Sequence, residues 1–145
     1  MRALIQRVSS ASVNIEGNSV GDIGTGLLVL LGVSPDDDIE RGRKLADRLL
    51  NYRVFRDDQQ RINCSLKDID GDLLIVSQFT LCADTKKGLR PEFSMAAPPE
   101  LAESLYKDFV EYCESQVGKV GTGIFGADMQ VSLVNDGPVT FLLES

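Results

Sequence analysis

The 145-residue sequence contains no histidine. That absence excludes Ser-His-Asp and Cys-His nucleophilic catalysis, and with them every metal site built on imidazole. Cysteine is scarce too. Cys64, Cys82 and Cys113 are odd in number and form no Cys-x-x-Cys pair, which offers no framework for structural zinc or a disulfide-stapled secreted domain. Long apolar runs are missing: the longest, GLLVLLGV from Gly26 to Val33, is too short to span a bilayer. The opening MRALIQRVSSASV lacks the apolar core and small-residue cleavage site of a signal peptide. These gaps point to a reduced, cytoplasmic protein with no membrane partner, whose catalysis, if any, uses another base or none from the chain.

Positive charge is also in short supply. A net charge of -7 argues against a broad nucleic-acid surface, which needs clustered Lys and Arg, but leaves room for a grip on the end of an RNA. The clearest local basic cluster is Lys86, Lys87 and Arg90.

What is present suffices for one domain, residues 1–145, with 43% hydrophobic residues to fill its core. Ala11, Val13 and Ile15 alternate with Ser12, Asn14 and Glu16 as in a half-buried strand; EGNS turns and VGDI returns as its hairpin partner. GLLVLLGV reads as a buried central strand. SPDDDIE opens a helix with Ser and Asp cap candidates, and Ile39, Leu45, Ala46, Leu49 and Leu50 form its apolar face. YRVF and DLLIVSQFTL read as strands. APPELAESLYKDFVEYCESQV opens on prolines and repeats Leu101, Leu105, Phe109, Tyr112, Cys113 and Val117 at helical spacing. MQVSLV and VTFLLE close the chain as strands. The expected fold is α/β in the α+β sense: a single compact domain of mostly antiparallel or barrel-like strands with two main helices.

Three stretches carry candidate chemistry. GTGIFG, Gly121 to Gly126, matches a dinucleotide fingerprint in spelling only, because a helix precedes it and a strand follows, the reverse of the required order. A glycine-rich loop permitting close backbone approach is the better reading. LLIVSQFTL begins as a buried strand and then turns polar at Ser77, Gln78 and Thr80 around Phe79. Buried polar groups need partners, so these residues either leave the core or form a pocket of hydroxyls, an amide and backbone N–H groups, with Phe79 free to stack on a base. VNDGPVTF places turn residues ahead of Pro138, whose missing N–H spoils the start of a returning strand; it either shapes a turn or presents backbone to something.

In combination, VSQFTL, ADTKKGLRPEFSMAAPP and GIFGADMQVSLVNDGPVTFLLES resemble the D-aminoacyl-tRNA deacylases, and the resemblance covers essentially the whole chain. It departs at Leu89, where a polar or basic residue is expected, and at Glu92, where a serine is. The resemblance implies a homodimeric editing hydrolase of translation. Its substrates would be D-aminoacyl-tRNA and glycyl-tRNA mischarged on tRNA-Ala, and it would need no metal or organic cofactor. It assigns Ser77, Gln78, Phe79 and Thr80 to the catalytic pocket, with the backbone N–H groups of Phe79 and Thr80 facing an oxyanion. It makes Gly137 and Pro138, joined by a cis bond, a chirality filter that reaches into the other subunit's pocket and rejects L-aminoacyl esters. It also implies help from the 2′-OH of the terminal ribose. Arg7 is a candidate to hold the Gly–Pro carbonyls, Met129 a pocket candidate, and Lys86, Lys87 and Arg90 candidate RNA contacts. Two alternatives stay open: an acyl hydrolase with Thr80 or Ser77 as covalent nucleophile, and a non-catalytic module that binds the tRNA 3′ end.

Overall fold

The computed structural model describes residues 1–86 and 88–145, so Lys87 lies outside the described residues. In chain order the elements are β1 (Arg2–Ile15), β2 (Asn18–Ile23), β3 (Gly26–Gly32), α1 (Ile39–Leu50), β4 (Phe55–Arg56), β5 (Ile62–Cys64), β6 (Asp72–Ser77), a 3-10 turn at Phe79–Cys82, α2 (Pro99–Glu114), β7 (Val120–Thr122) and β8 (Gln130–Glu144).

β1 organises the sheet. One of its edges carries antiparallel β3 on the N-terminal half and β2 on the C-terminal half; the other carries β8 along almost its full length. β3 continues into β6 and β6 into β7, both in parallel. The resulting mixed sheet curls until β2 meets β7, where Lys119 Nζ lies 3.5 Å from Asp22. It is nearly barrel-shaped.

Alternation along the strands feeds two cores. Ala3, Ile5, Leu27, Val29, Leu31, Leu73 and Ile75 face Leu45, Leu49, Leu105 and Phe109 of the helices. Val8, Val13, Leu28, Leu74 and Val76 point to the other face, where Met129, Val131 and Leu133 of the C-terminal segment cover them. β6 is therefore buried on both sides, which explains its unbroken apolar run. Each large side chain buried this way contributes about 1.5–3 kcal/mol. Asp38 caps α1 by accepting from Arg41 N at 2.8 Å, and Pro99 opens α2.

The fold class and both helices match the sequence reading; several boundaries do not. β1 begins at Arg2, well before Ala11, because β3 and β8 pair with its first half. YRVF supplies only Phe55, the first of the two residues of β4. The chain leaves the sheet at Gln78 and forms the 3-10 turn Phe79–Cys82. Ile39, expected in the apolar face of α1, is 49% exposed at the first position of the helix. VNDGPVTF is not a hairpin turn: residues 130–144 form one strand with a bulge.

Candidate active site

β6 ends where β3 ends. Ser77 is the last paired residue, opposite Leu31, and Gln78 N donates to the Leu31 carbonyl at 2.8 Å. The backbone then tightens into the 3-10 turn, in which Leu81 N donates to Gln78 O at 3.2 Å. The first N–H groups of any helical turn have no partner within it. Here those groups belong to Phe79 and Thr80, and neither donates to an acceptor among the described residues. Both residues are exposed, whereas Ser77 and Gln78 are half-buried.

A cleft of about 230 Å³ opens beside this turn. Val76, Ser77, Gln78 and Phe79 line one side, and Gly126, Ala127, Met129 and Val131 complete it, so among the described residues no lining side chain is titratable. The glycine-rich segment sets the second wall. A Cβ on Gly123 would fall 2.5 Å from Met129 Sδ, so a larger residue there would make the thioether shift. Gly123 N donates to the Ile75 carbonyl at 3.1 Å, and the Tyr106 hydroxyl donates to the same oxygen at 2.8 Å. Tyr106 also packs against Phe125, with ring centroids 5.9 Å apart. One buried carbonyl of β6 thereby ties both walls to α2.

Thr80 lies outside the cleft lining but next to it, and the Gln78 amide donates to its hydroxyl oxygen. That bond engages a lone pair and provides no base. A hydroxyl without a base is a weak nucleophile.

The second motif lies on the β1–β8 ladder. Between the pairs Gln6↔Thr140 and Val8↔Asn135, Arg7 alone faces Asp136, Gly137, Pro138 and Val139. The extra residues stand out as a bulge. Asn135, missed in the sequence reading although it heads the N-x-G-P-V-T motif, clamps the base of that bulge. Its side chain accepts from Val139 N at 2.7 Å and donates to Val139 O at 3.2 Å and Thr140 Oγ1 at 3.0 Å. Arg7 is buried, at 2% exposure, and donates to the carbonyls of Asp136 (2.7 Å) and Val54 (2.6 Å). It grips the carbonyl just before the Gly–Pro pair rather than those of the pair itself. Gly137 and Pro138 are exposed, their bond is cis, and neither lines the cleft. A Cβ on Gly137 would lie 2.7 Å from Val139 N.

β8 also carries exposed apolar side chains on both sides of the bulge, Val134 at 57%, Phe141 at 43% and Leu142 at 50%. Lys86 and Arg90 are exposed and do not reach the cleft; Lys86 lines a separate 380 Å³ cavity with Arg2, Ser34, Cys82 and Met95. Among the described residues, no three His, Cys, Asp or Glu side chains are grouped to hold a metal, and no helix is long and apolar enough to cross a membrane.

Comparison with known proteins adds the chemistry. A family model of D-Tyr-tRNA(Tyr) deacylases matches residues 4–144. A D-aminoacyl-tRNA deacylase of Haemophilus influenzae (strain PittGG) is 58% identical over 143 residues, 99% of each chain. One from Thermosipho africanus is 57% identical over 145 residues, all of this chain and 97% of its own. Among solved structures, the c-Myc DNA Unwinding Element Binding Protein superposes with a TM-score of 0.96 at 41% identity, covering 100% of this chain and 99% of that one. A probable eukaryotic D-amino acid tRNA deacylase superposes at 0.84 over 99% of this chain and 98% of that one, at 20% identity, a likeness of fold alone.

Proposed function

The chain belongs to the D-Tyr-tRNA(Tyr) deacylase family and is a D-aminoacyl-tRNA deacylase, a hydrolase of tRNA editing; from that premise we propose that the cleft at the end of β6 cleaves the ester between the tRNA 3′ end and either a D-amino acid or glycine mischarged on tRNA-Ala. The observation that carries this reading is the pair of unengaged N–H groups on the exposed residues Phe79 and Thr80, beside a cleft with no titratable side chain among the described residues that line it. Water adds to the ester carbon, and the oxyanion that forms accepts from those two donors. The acyl–oxygen bond then breaks, the ribose oxygen takes a proton, and free tRNA and amino acid leave. Ser77, Gln78 and Thr80 orient the ester and the terminal adenosine. The neighbouring ribose 2′-OH supplies the proton relay that this cleft lacks. No metal or organic cofactor takes part.

The chirality filter is the bulge at Gly137 and Pro138, delivered by a second protomer. Three features support this: the pair is exposed, it is clamped at its base by Asn135 and Arg7, and it stands clear of its own chain's cleft. The exposed Val134, Phe141 and Leu142 on the same strand suit a homodimer contact. A backbone wall rejects L side chains by collision and leaves D side chains and glycine unhindered. The enzyme acts on aminoacyl-tRNA in the cytoplasm.

A substrate whose terminal ribose lacks the 2′-OH tests the chemistry. Hydrolysis should slow by orders of magnitude with binding retained; an undiminished rate would overturn RNA assistance.

A further inference from the structure

Phe79 lines the cleft on one side and shows 58% of its surface to solvent. Beyond it stands a second exposed ring, Phe93 at 40%, with centroids 5.1 Å apart and planes tilted by 55°. Phe93 does not line the cleft. It is held by an outer loop closed by two backbone bonds, Asp84 N to Glu92 O at 2.8 Å and Glu92 N to Asp84 O at 3.2 Å. The Phe93 carbonyl is fixed in turn by Ala96 N at 3.0 Å. Lys86 and Arg90 are exposed on this loop, in a chain of net charge -7. Asp84 and Glu92 lie there too, with the Asp84 carboxylate engaged by Lys86 N at 2.8 Å.

Exposed rings on a loop that also exposes cationic side chains match the make-up of a single-stranded nucleic-acid track, in which bases stack on rings and phosphates meet Lys and Arg. Resting on the cleft assignment above, we propose that Phe93 is a stacking subsite for the penultimate nucleobase of the unpaired 3′ end, one nucleotide inward from the terminal adenosine. The terminal nucleoside must sit at the cleft because its ribose carries the ester. The next base then passes the ring adjoining Phe79, and the backbone behind it runs toward Lys86 and Arg90. A second protein copy fits this spot less well, because interface centres are depleted of charged residues, and Asp84, Lys86, Arg90 and Glu92 all belong to the loop that carries this ring. The exposed apolar side chains of β8 suit that copy better.

The test is a cycle between protein and RNA: wild type and Phe93→Ala, each assayed on D-aminoacyl-tRNA with an intact or an abasic penultimate nucleotide. On intact RNA, Phe93→Ala should lower kcat/KM about tenfold, mainly through KM. On abasic RNA the wild type should already show that loss, and the substitution should add nothing. Phe93→Trp should keep the parent rate. Equal losses for Phe93→Ala on both RNAs, or a wild type indifferent to base removal, would overturn the proposal; so would a dimer that dissociates on substitution, which would place a second copy on the ring. The wild-type arm decides even if Phe93→Ala folds poorly. Abolition of all turnover by Ala127→Trp, which fills the cleft, checks the cleft assignment separately from either result.

Discussion

The Arg7 guanidinium donates to the Asp136 carbonyl oxygen at 2.7 Å, immediately ahead of Gly137, while its other arm holds Val54 at 2.6 Å. A buried fork of this kind fixes two carbonyls at once, and each charge-assisted bond is worth about 1.5–3 kcal/mol. Lysine presents a point charge and cannot reproduce the fork. Arg7→Lys should therefore keep the fold at a cost of a few degrees in Tm, yet lower kcat/KM for D-esters about tenfold or let L-esters through. Arg7→Met, which leaves both carbonyls unsatisfied, should be destabilised by about 3 kcal/mol or more. Parent-like kinetics in Arg7→Lys would detach the fork from the bulge's function.

Thr80 has its hydroxyl oxygen occupied by the Gln78 amide, and among the described residues no base is hydrogen-bonded to it. Thr80→Ala and Ser77→Ala should each lose about tenfold in kcat, the scale of one positioning hydrogen bond, and neither parent nor variant should yield an acyl-enzyme in rapid-quench mass spectrometry. Complete loss in Thr80→Ala with substrate still bound, or a trapped adduct, would restore the covalent route.

Burial pushes the Cys113 thiol and the Tyr106 phenol each up to about 12. Both groups stay protonated in the folded state at a pH where the unfolded chain has released its protons. Stability is thus full below the ordinary values of the unfolded chain, 9.0 for the Cys113 thiol and 10.0 for the Tyr106 phenol, and falls as pH rises from there toward 12. The fall is about 1.4 kcal/mol per pH unit for each group. Denaturant titrations should show this alkaline slope, and Cys113→Ala with Tyr106→Phe should flatten it. The Tyr106→Phe chain should also lose about 1 kcal/mol at neutral pH from its bond to Ile75.

Most of the fold was legible because the apolar pattern is strong where burial is one-sided or complete: β3, β6 and both helices were read directly. The failures have physical causes. Polar Gln78 and Thr80 look the same in a strand as in a 3-10 turn; only the end of β3 decides the matter. Asn-Asp-Gly spells a hairpin turn, but β1 runs past it and holds both flanks, turning the stretch into a bulge. Arg7 was a candidate for the Gly–Pro carbonyls themselves, since nothing in its neighbours announces the carbonyls of Asp136 and Val54 that it holds instead. The roles of Asn135 and Gly123 depend on partners close in space, Val139 and Met129, that spacing alone does not single out.

Selection by a backbone wall makes no use of the D side chain. D-alanyl, D-phenylalanyl and D-aspartyl esters on one tRNA should be hydrolysed at similar kcat/KM, and glycyl-tRNA measurably, while L-alanyl-tRNA is spared. Rates spread over orders of magnitude among the D-esters would indicate a side-chain pocket instead, since even one methylene-sized contact contributes about 1–3 kcal/mol.

The central claim is that each active site joins the cleft of one protomer to the bulge of another. Two variants isolate the parts: Ala127→Trp blocks the cleft and leaves the bulge intact, and Gly137→Val, whose Cβ would meet Val139 N at 2.7 Å, disrupts the bulge and leaves the cleft intact. Each should lack D-selective deacylase activity alone. Mixed and allowed to exchange subunits, half the dimers pair one of each, and one of their two sites is whole, so about a quarter of the wild-type activity should return. Recovery of that size, with L-esters still rejected, is the predicted result; a mixture no more active than its parents would contradict a shared site.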